Sequence, residues 1–300
     1  MEPLKIGSQI FWAKDYYCAR EDGVYIPKEN GKLWLYVNLT NLCNAYCPFC
    51  VNPAVGKGRH TVDPARFRET LKAISPYVDG VSITGGEPML FPELVDGVAG
   101  AVNETLGPDI RLEMATNGTN LAKIPELTFL ERFTSIHISR HRADDAGNAA
   151  LLGFPAPSVT EIRDLVASLK DPGKIVFSCV LQKGGVQTLA DAAAYLEMAA
   201  EAGVQNTGFV GLFLANDYCR AHYVSPGELA FEKDDRFCLW GQLRDHGYCR
   251  CGSGDYRAET GCVRFYFRCP GTEKAPYARQ LVYNHDNRLL DSFGGEEILL

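Results

Sequence analysis

The sequence predicts an α/β protein: a partial (β/α)6 barrel of the TIM-like type, followed by a small cysteine-rich α+β extension at the C-terminus. Three observations carry this reading. Six strand–helix alternations follow one another from residue 33 to about 214, which asks for a parallel sheet with helices outside it and stops short of the eight units of a closed barrel. Polar and glycine-containing motifs fall at the C-terminal ends of the predicted strands, where barrel active sites assemble. Beyond about residue 216 the composition shifts to cysteine, glycine and charge. The organisation expected is an N-terminal extension over 1–32, a core over 33–216 and the cysteine-rich extension over 217–300.

In chain order, Val24-Tyr25-Ile26 and Leu33-Trp34-Leu35 flank Asn30-Gly31, which reads as a hairpin or as the approach to a strand. The first core strand is expected over 33–42. Asp63-Pro64 supplies an N-cap and a first-turn proline, followed by Phe67, Leu71 and Ile74 at helical spacing. Val81-Ser82-Ile83 is a short strand, and Pro92 opens a helix carrying Leu94, Val95, Val98 and Val102. Strands are expected at 111–116 and 136–138. Ser158 and Glu161 have capping-box spacing ahead of Ile162, Leu165, Val166 and Leu169. A fifth strand spans 174–181, a helix 188–202 stops at Gly203, and a sixth strand spans 207–214. The extension holds strand-like runs at 263–268 and 279–283, with 287–290 pairing back.

The formal net charge of −7 at pH 7 argues against general nucleic-acid binding. The first residues lack the apolar core of a secretion signal, and no apolar run approaches the roughly 18 residues of a membrane span. A soluble, cytoplasmic protein without membrane partners is the expectation. Eleven cysteines are many for that compartment, where disulfides are rare and clustered cysteines more often bind metal or do chemistry.

Cys43, Cys47 and Cys50 lie on one short loop after the first core strand, with three and then two residues between them. Thiolates are the ligands of iron–sulfur clusters, and a four-iron cluster normally takes four. Three leave one iron open to a small-molecule ligand. Cys47-Pro48-Phe49-Cys50 alone also fits a dithiol oxidoreductase, and the loop could contribute to a zinc site. At the end of the second strand, Gly85 and Gly86 let backbone approach a ligand closely, Glu87 can accept charge-assisted hydrogen bonds from an ammonium group, and Pro88 fixes the turn.

The cysteine spacing, with Gly85-Gly86-Glu87-Pro88 one β/α unit later, resembles the signature of the radical S-adenosylmethionine (radical SAM) superfamily over roughly residues 33–214. The resemblance implies a [4Fe-4S] cluster on Cys43, Cys47 and Cys50 whose open iron chelates S-adenosyl-L-methionine. It implies Phe49 against the adenine, Gly85, Gly86, Glu87 and Pro88 at the methionine ammonium, and Asn117 of Thr116-Asn117-Gly118 near the nucleoside. Ser139 and Arg140 are implied at the ribose and carboxylate, an assignment that the planar guanidinium suits. Ser178 and the run Gly208-Phe209-Val210-Gly211 are further candidates for the nucleoside pocket. His141, Arg142, Asp144 and Asp145 read equally as a substrate loop or as plain surface. The implied partners are a small-molecule or peptide substrate and an electron donor such as flavodoxin or ferredoxin.

The second cysteine group, Cys238, Cys249, Cys251, Cys262 and Cys269, resembles the SPASM or twitch extensions of that superfamily only in being a C-terminal cysteine cluster beside a short hairpin. It lacks a C-x-x-C-x5-C run. An auxiliary iron–sulfur cluster, a zinc site and ordinary packing thiols all stay open for it. The expected reaction is reductive cleavage of S-adenosylmethionine to a 5′-deoxyadenosyl radical that takes hydrogen from a substrate, in natural-product, cofactor or peptide maturation. Activation of a glycyl-radical enzyme is the alternative, with dithiol oxidoreduction behind it.

Overall fold

Three of the core helices begin where a short side chain satisfies free N–H groups of the first turn. Asp63 caps α1 (Pro64–Ile74) by accepting from Ala65 and Arg66, and a proline follows it at the first position. Ser158 and Glu161 form a capping box at α4 (Val159–Ser168), and Thr188 and Asp191 form another at α5 (Leu189–Glu201). α2 (Pro92–Leu106) opens on its proline. The computed structural model describes residues 4–7, 9–11, 32–52, 58–225, 238–239, 254–258, 261–266 and 280–300.

Two short antiparallel strands, β1 (Leu4–Ile6) and β2 (Gln9–Phe11), precede the core. The six core strands are β3 (Leu33–Asn38), β4 (Val78–Thr84), β5 (Arg111–Thr116), β6 (Ser135–Ser139), β7 (Ile175–Leu181) and β8 (Asn206–Gly211), paired in that order and all parallel. Alternation sorts their side chains. In β6 and β7, Ile136, Ile138, Phe177 and Cys179 are buried in the single core cluster with Phe67, Val98 and Ile162 of the helices. Ser135, His137, Ser139, Val176 and Ser178 are half-buried on the other face.

Strands from the last third of the chain join both edges of this sheet. β11 (Gly261–Tyr266) pairs in parallel with β8, followed outward by β10 (Gly254–Ala258) and β9 (Cys238–Leu239). β12 (Gln280–Tyr283) pairs in parallel with β3, and β13 (Leu289–Leu290) returns against it. Among the described residues, eight consecutive strands therefore run parallel in a sheet of eleven.

Several expectations need correction. β3 begins at Leu33 between two parallel neighbours, so of the two readings of Leu33-Trp34-Leu35 the approach to a strand holds, while Val24-Tyr25-Ile26 lies outside the described residues. β3 ends at Asn38 and β8 at Gly211, each shorter than its apolar run suggests. Asp144 and Asp145 are exposed, in line with the surface reading, and belong to an additional helix that the sequence did not predict, α3 (Asp145–Leu152), which Asp144 caps through the Gly147 N–H.

Candidate active site at the C-terminal strand ends

After β3 the chain continues beside the end of β4 as a second ladder. The Gly86 and Glu87 N–H groups donate to the Thr40 and Leu42 carbonyls at 2.7 and 2.8 Å. This docking explains the glycines. A Cβ on Gly86 would lie 1.9 Å from the Leu42 carbonyl oxygen, and Gly85, at φ +133°, would place one 2.7 Å from the Thr40 oxygen. The close approach the two glycines serve is to the strand leading into the cysteine loop. Pro88 is buried and opens a 3-10 turn, Pro88–Leu90.

Cys43 and Cys47 are half-buried on that loop and Cys50 is exposed at its end; none is in a disulfide. The Cys50 N–H closes a turn onto the Cys47 carbonyl at 3.1 Å. The Ala45 N–H donates to Cys43 Sγ at 3.4 Å, and the Asn117 amide approaches the same sulfur at 4.0 Å. Burial pushes the Cys43 thiol up and the Cys47 thiol up to about 12, the neighbouring thiols adding to both. A bound cation would offset the cost of burying and crowding charged sulfurs and favour the thiolates. Among the described residues no three His, Cys, Asp or Glu side chains converge enough to ligate one ion. Three thiols that each take a different iron need not converge on a point. The donor set, with N–H groups aimed at a sulfur, fits a cluster better than a mononuclear zinc.

Glu87 is buried, and its carboxylate is turned into the protein. Oε1 accepts from the Thr116 hydroxyl at 2.6 Å and the Met89 N–H at 2.8 Å, and Oε2 accepts from the Asn117 N–H at 2.6 Å. Burial raises its pKa to about 7 against the pull of these three donors. In this arrangement the side chain ties the end of β5 to the end of β4 rather than presenting its charge to a ligand. Asn117, next along, donates to Asn44 Oδ1 at 2.9 Å, and Asn44 donates to the Thr119 hydroxyl at 2.8 Å. The Thr116-Asn117-Gly118 turn thus grips the cysteine loop from the side.

Arg140 corrects its expected role more sharply. Its guanidinium is 1% exposed. It donates to the Pro157 and Ala143 carbonyls at 3.2 and 2.9 Å and to Asp145 Oδ1 at 2.6 Å. It points away from the mouth because Ser139 points in: neighbouring residues on a strand face opposite sides. Ser139 and Ser178 are register partners on the half-buried face, and Ser178 pairs with Gly208.

The next inward position is His141, which the sequence left open between substrate loop and plain surface. It is buried, and its neutral state persists down to about pH 3 because burial disfavours the cation. Nδ1 accepts from the Val180 N–H at 3.2 Å, so the proton sits on Nε2. The ring packs edge-on against Phe49, centroids 4.9 Å apart at 87°. A polar residue two positions after an inward serine was the available signal. Of the second cysteine group, Cys238 and Cys262 fall in β9 and β11, both opposite Arg257 in register. Cys249, Cys251 and Cys269 lie outside the described residues.

Residues 37–217 match the family model described as the Radical SAM superfamily. The chain is 30% identical over 145 residues to a GTP 3′,8-cyclase of Mycobacterium ulcerans, covering 46% of this chain and 39% of that protein. It is 28% identical over 189 residues to a PqqA peptide cyclase of Xanthomonas oryzae pv. oryzae, covering 61% and 50%. It therefore spans half or less of the length of these relatives. Among solved structures, Streptococcus suis SuiB bound to its precursor peptide SuiA aligns over 87% of this chain and 59% of that one, with TM-score 0.59 and 15% identity, a likeness of fold.

Proposed function

The chain belongs to the radical SAM superfamily, and from that premise we propose that it binds a [4Fe-4S] cluster through Cys43, Cys47 and Cys50 and cleaves S-adenosylmethionine reductively to act on a small-molecule or peptide substrate. The observation that supports this most is the seating of the three thiols. One loop carries them, and it is held by the Gly86–Thr40 and Glu87–Leu42 backbone bonds on one side and by Asn117 on the other.

Cys43, Cys47 and Cys50 would hold the cluster, which would supply the one-electron reductant for splitting S-adenosylmethionine into methionine and a 5′-deoxyadenosyl radical able to take hydrogen from a substrate. The residues of this chain orient and shield. Ala45 and Asn117 direct N–H groups at the Cys43 sulfur, and such hydrogen bonds tune cluster potential. Phe49, held by His141, offers an apolar wall for the adenine. Ser139 and Ser178 bring two hydroxyls to adjacent strand ends for the sugar or the substrate. Because the Glu87 and Arg140 side chains are folded into the protein, away from the mouth, the methionine group would meet the backbone of the Gly85–Pro88 turn, which Glu87 holds in place.

A peptide or a nucleotide-like small molecule is the substrate class, in keeping with the peptide cyclase and GTP cyclase relatives. An electron donor of the flavodoxin or ferredoxin type would reach the exposed Cys50 side of the loop. The C-terminal cysteines are proposed as a second metal site, iron–sulfur or zinc. Anaerobic reconstitution, with iron and sulfide counts and 5′-deoxyadenosine measured after dithionite, tests the main reading. The wild type is expected to hold at least about four irons and to release 5′-deoxyadenosine. The Cys43, Cys47 and Cys50 triple alanine variant is expected to release none, and product from that variant would sink the assignment. Iron or zinc remaining in the variant would mark the second site.

A further inference from the structure

We propose that Asn216, on the segment leaving β8, is a positioning residue that latches the cysteine loop from behind; its bearing on catalysis rests on the cluster reading above. After Gly211 the chain turns back over the loop into a short helix, α6 (Asp217–Ala221). The Asn216 side chain is used at both ends. Oδ1 accepts from the Cys219 N–H at 2.8 Å, capping α6, and this aims Nδ2 at the Pro48 carbonyl, 3.0 Å away. Three residues on, the buried Cys219 thiol lies 3.9 Å from the Phe49 carbonyl, at the limit of an S–H···O contact. Two successive carbonyls of the loop, 168 and 170 residues away in sequence, thus receive donors from one segment.

The consequence is geometric. The Pro48 and Phe49 carbonyls set the planes of the two peptide groups leading to Phe49 and Cys50. The Cys50 N–H shares a peptide plane with the Phe49 carbonyl and closes the turn on Cys47, so the loop itself fixes that plane, while Asn216 holds the Pro48–Phe49 plane from outside. With both peptide planes held and His141 bracing the Phe49 ring, the aromatic wall and Cys50 Sγ are placed before any ligand arrives. At the front of the loop the Tyr46 N–H donates to the Leu152 carbonyl at 2.7 Å, giving a second anchor. The latch is removable without touching a thiol or the Gly85–Pro88 turn.

Asn216→Asp separates latching from helix capping. The aspartate keeps the acceptor for Cys219 N–H but has no N–H for Pro48, and it turns a negative oxygen toward a carbonyl. Asn216→Ala loses both. Amide hydrogen exchange of residues 45–50 in the cluster-free chain is expected to rise about five-fold or more in both variants, with α2 amides unchanged. Iron in the reconstituted protein should be lost to a ferrous chelator correspondingly faster. An aspartate variant that matches wild type in both readouts, with only the alanine variant altered, would reduce Asn216 to a helix cap and overturn the proposal. Should the aspartate variant lose protection throughout, Cys219→Ala against Cys219→Ser decides instead. Loosening of residues 45–50 in alanine and its recovery in serine upholds the latch, and equal protection in both overturns it. A wild type that takes up no iron refutes the cluster reading, while the exchange comparison still decides whether Asn216 holds the loop.

Discussion

At the scale of single residues, orientation decides chemistry. Glu87 and Arg140 are charged groups at strand ends, and both are folded into the protein, where they organise the turns around them. Glu87 has the larger consequence because three donors converge on one carboxylate. Glu87→Gln would set an amide N–H2 against the Asn117 N–H or the other donors, at a cost of about 1–3 kcal/mol. The carboxyl's folded pKa, about 7, lies above its ordinary value. Folding therefore favours the protonated form, and that contribution is complete at low pH and is lost as pH rises towards 7. The stability advantage of wild type over Glu87→Gln, measured by urea unfolding of the cluster-free chain, should shrink between about pH 4.5 and 7 and stay level above it. An advantage that stayed level over that window would mean that the folded carboxyl is ionised throughout it.

At the scale of elements, the caps are the local determinants. α4 starts with a reciprocal pair: Glu161 N–H donates to Ser158 Oγ at 3.2 Å, and the Ser158 N–H donates to Glu161 Oε2 at 2.8 Å. Ser158→Ala is expected to cost about 1 kcal/mol in urea unfolding, with little effect on iron content. The caps at Asp63 and Ser158, the proline starts and the stop at Gly203 were legible, because each depends on residues within one helical turn, whereas Thr188, read as the first residue of its helix, is its cap. α3 was not. Its Gly147 and Asn148 are weak helix formers, so only the capping of Gly147 by Asp144 and the packing of Leu152 make it a helix.

At the scale of the whole molecule, the last strands seal the sheet. β12 covers the edge of β3, burying Leu281 and Tyr283, and Tyr283 packs against Phe67 of α1 at 5.1 Å. Tyr283→Ala leaves a cavity between that edge and α1. It is expected to destabilise the fold by roughly 3–5 kcal/mol, read as a shift of the unfolding midpoint with an unchanged slope. A loss well under 1 kcal/mol would show that β12 is not part of the cooperative core.

The sequence by itself determined the β/α succession, the helix starts and the thiol-bearing loop with its glycine turn. These follow from periodicity, capping chemistry and cysteine spacing, all of which are local. Tertiary structure decided which way Glu87 and Arg140 face, that the two glycines serve backbone docking on Thr40 and Leu42, and that His141 and Asn216 hold the loop. It also placed β11 and β12 on opposite edges of one sheet. The partners of these groups lie tens to hundreds of residues away, and spacing along the chain carries no record of a contact that folding alone creates.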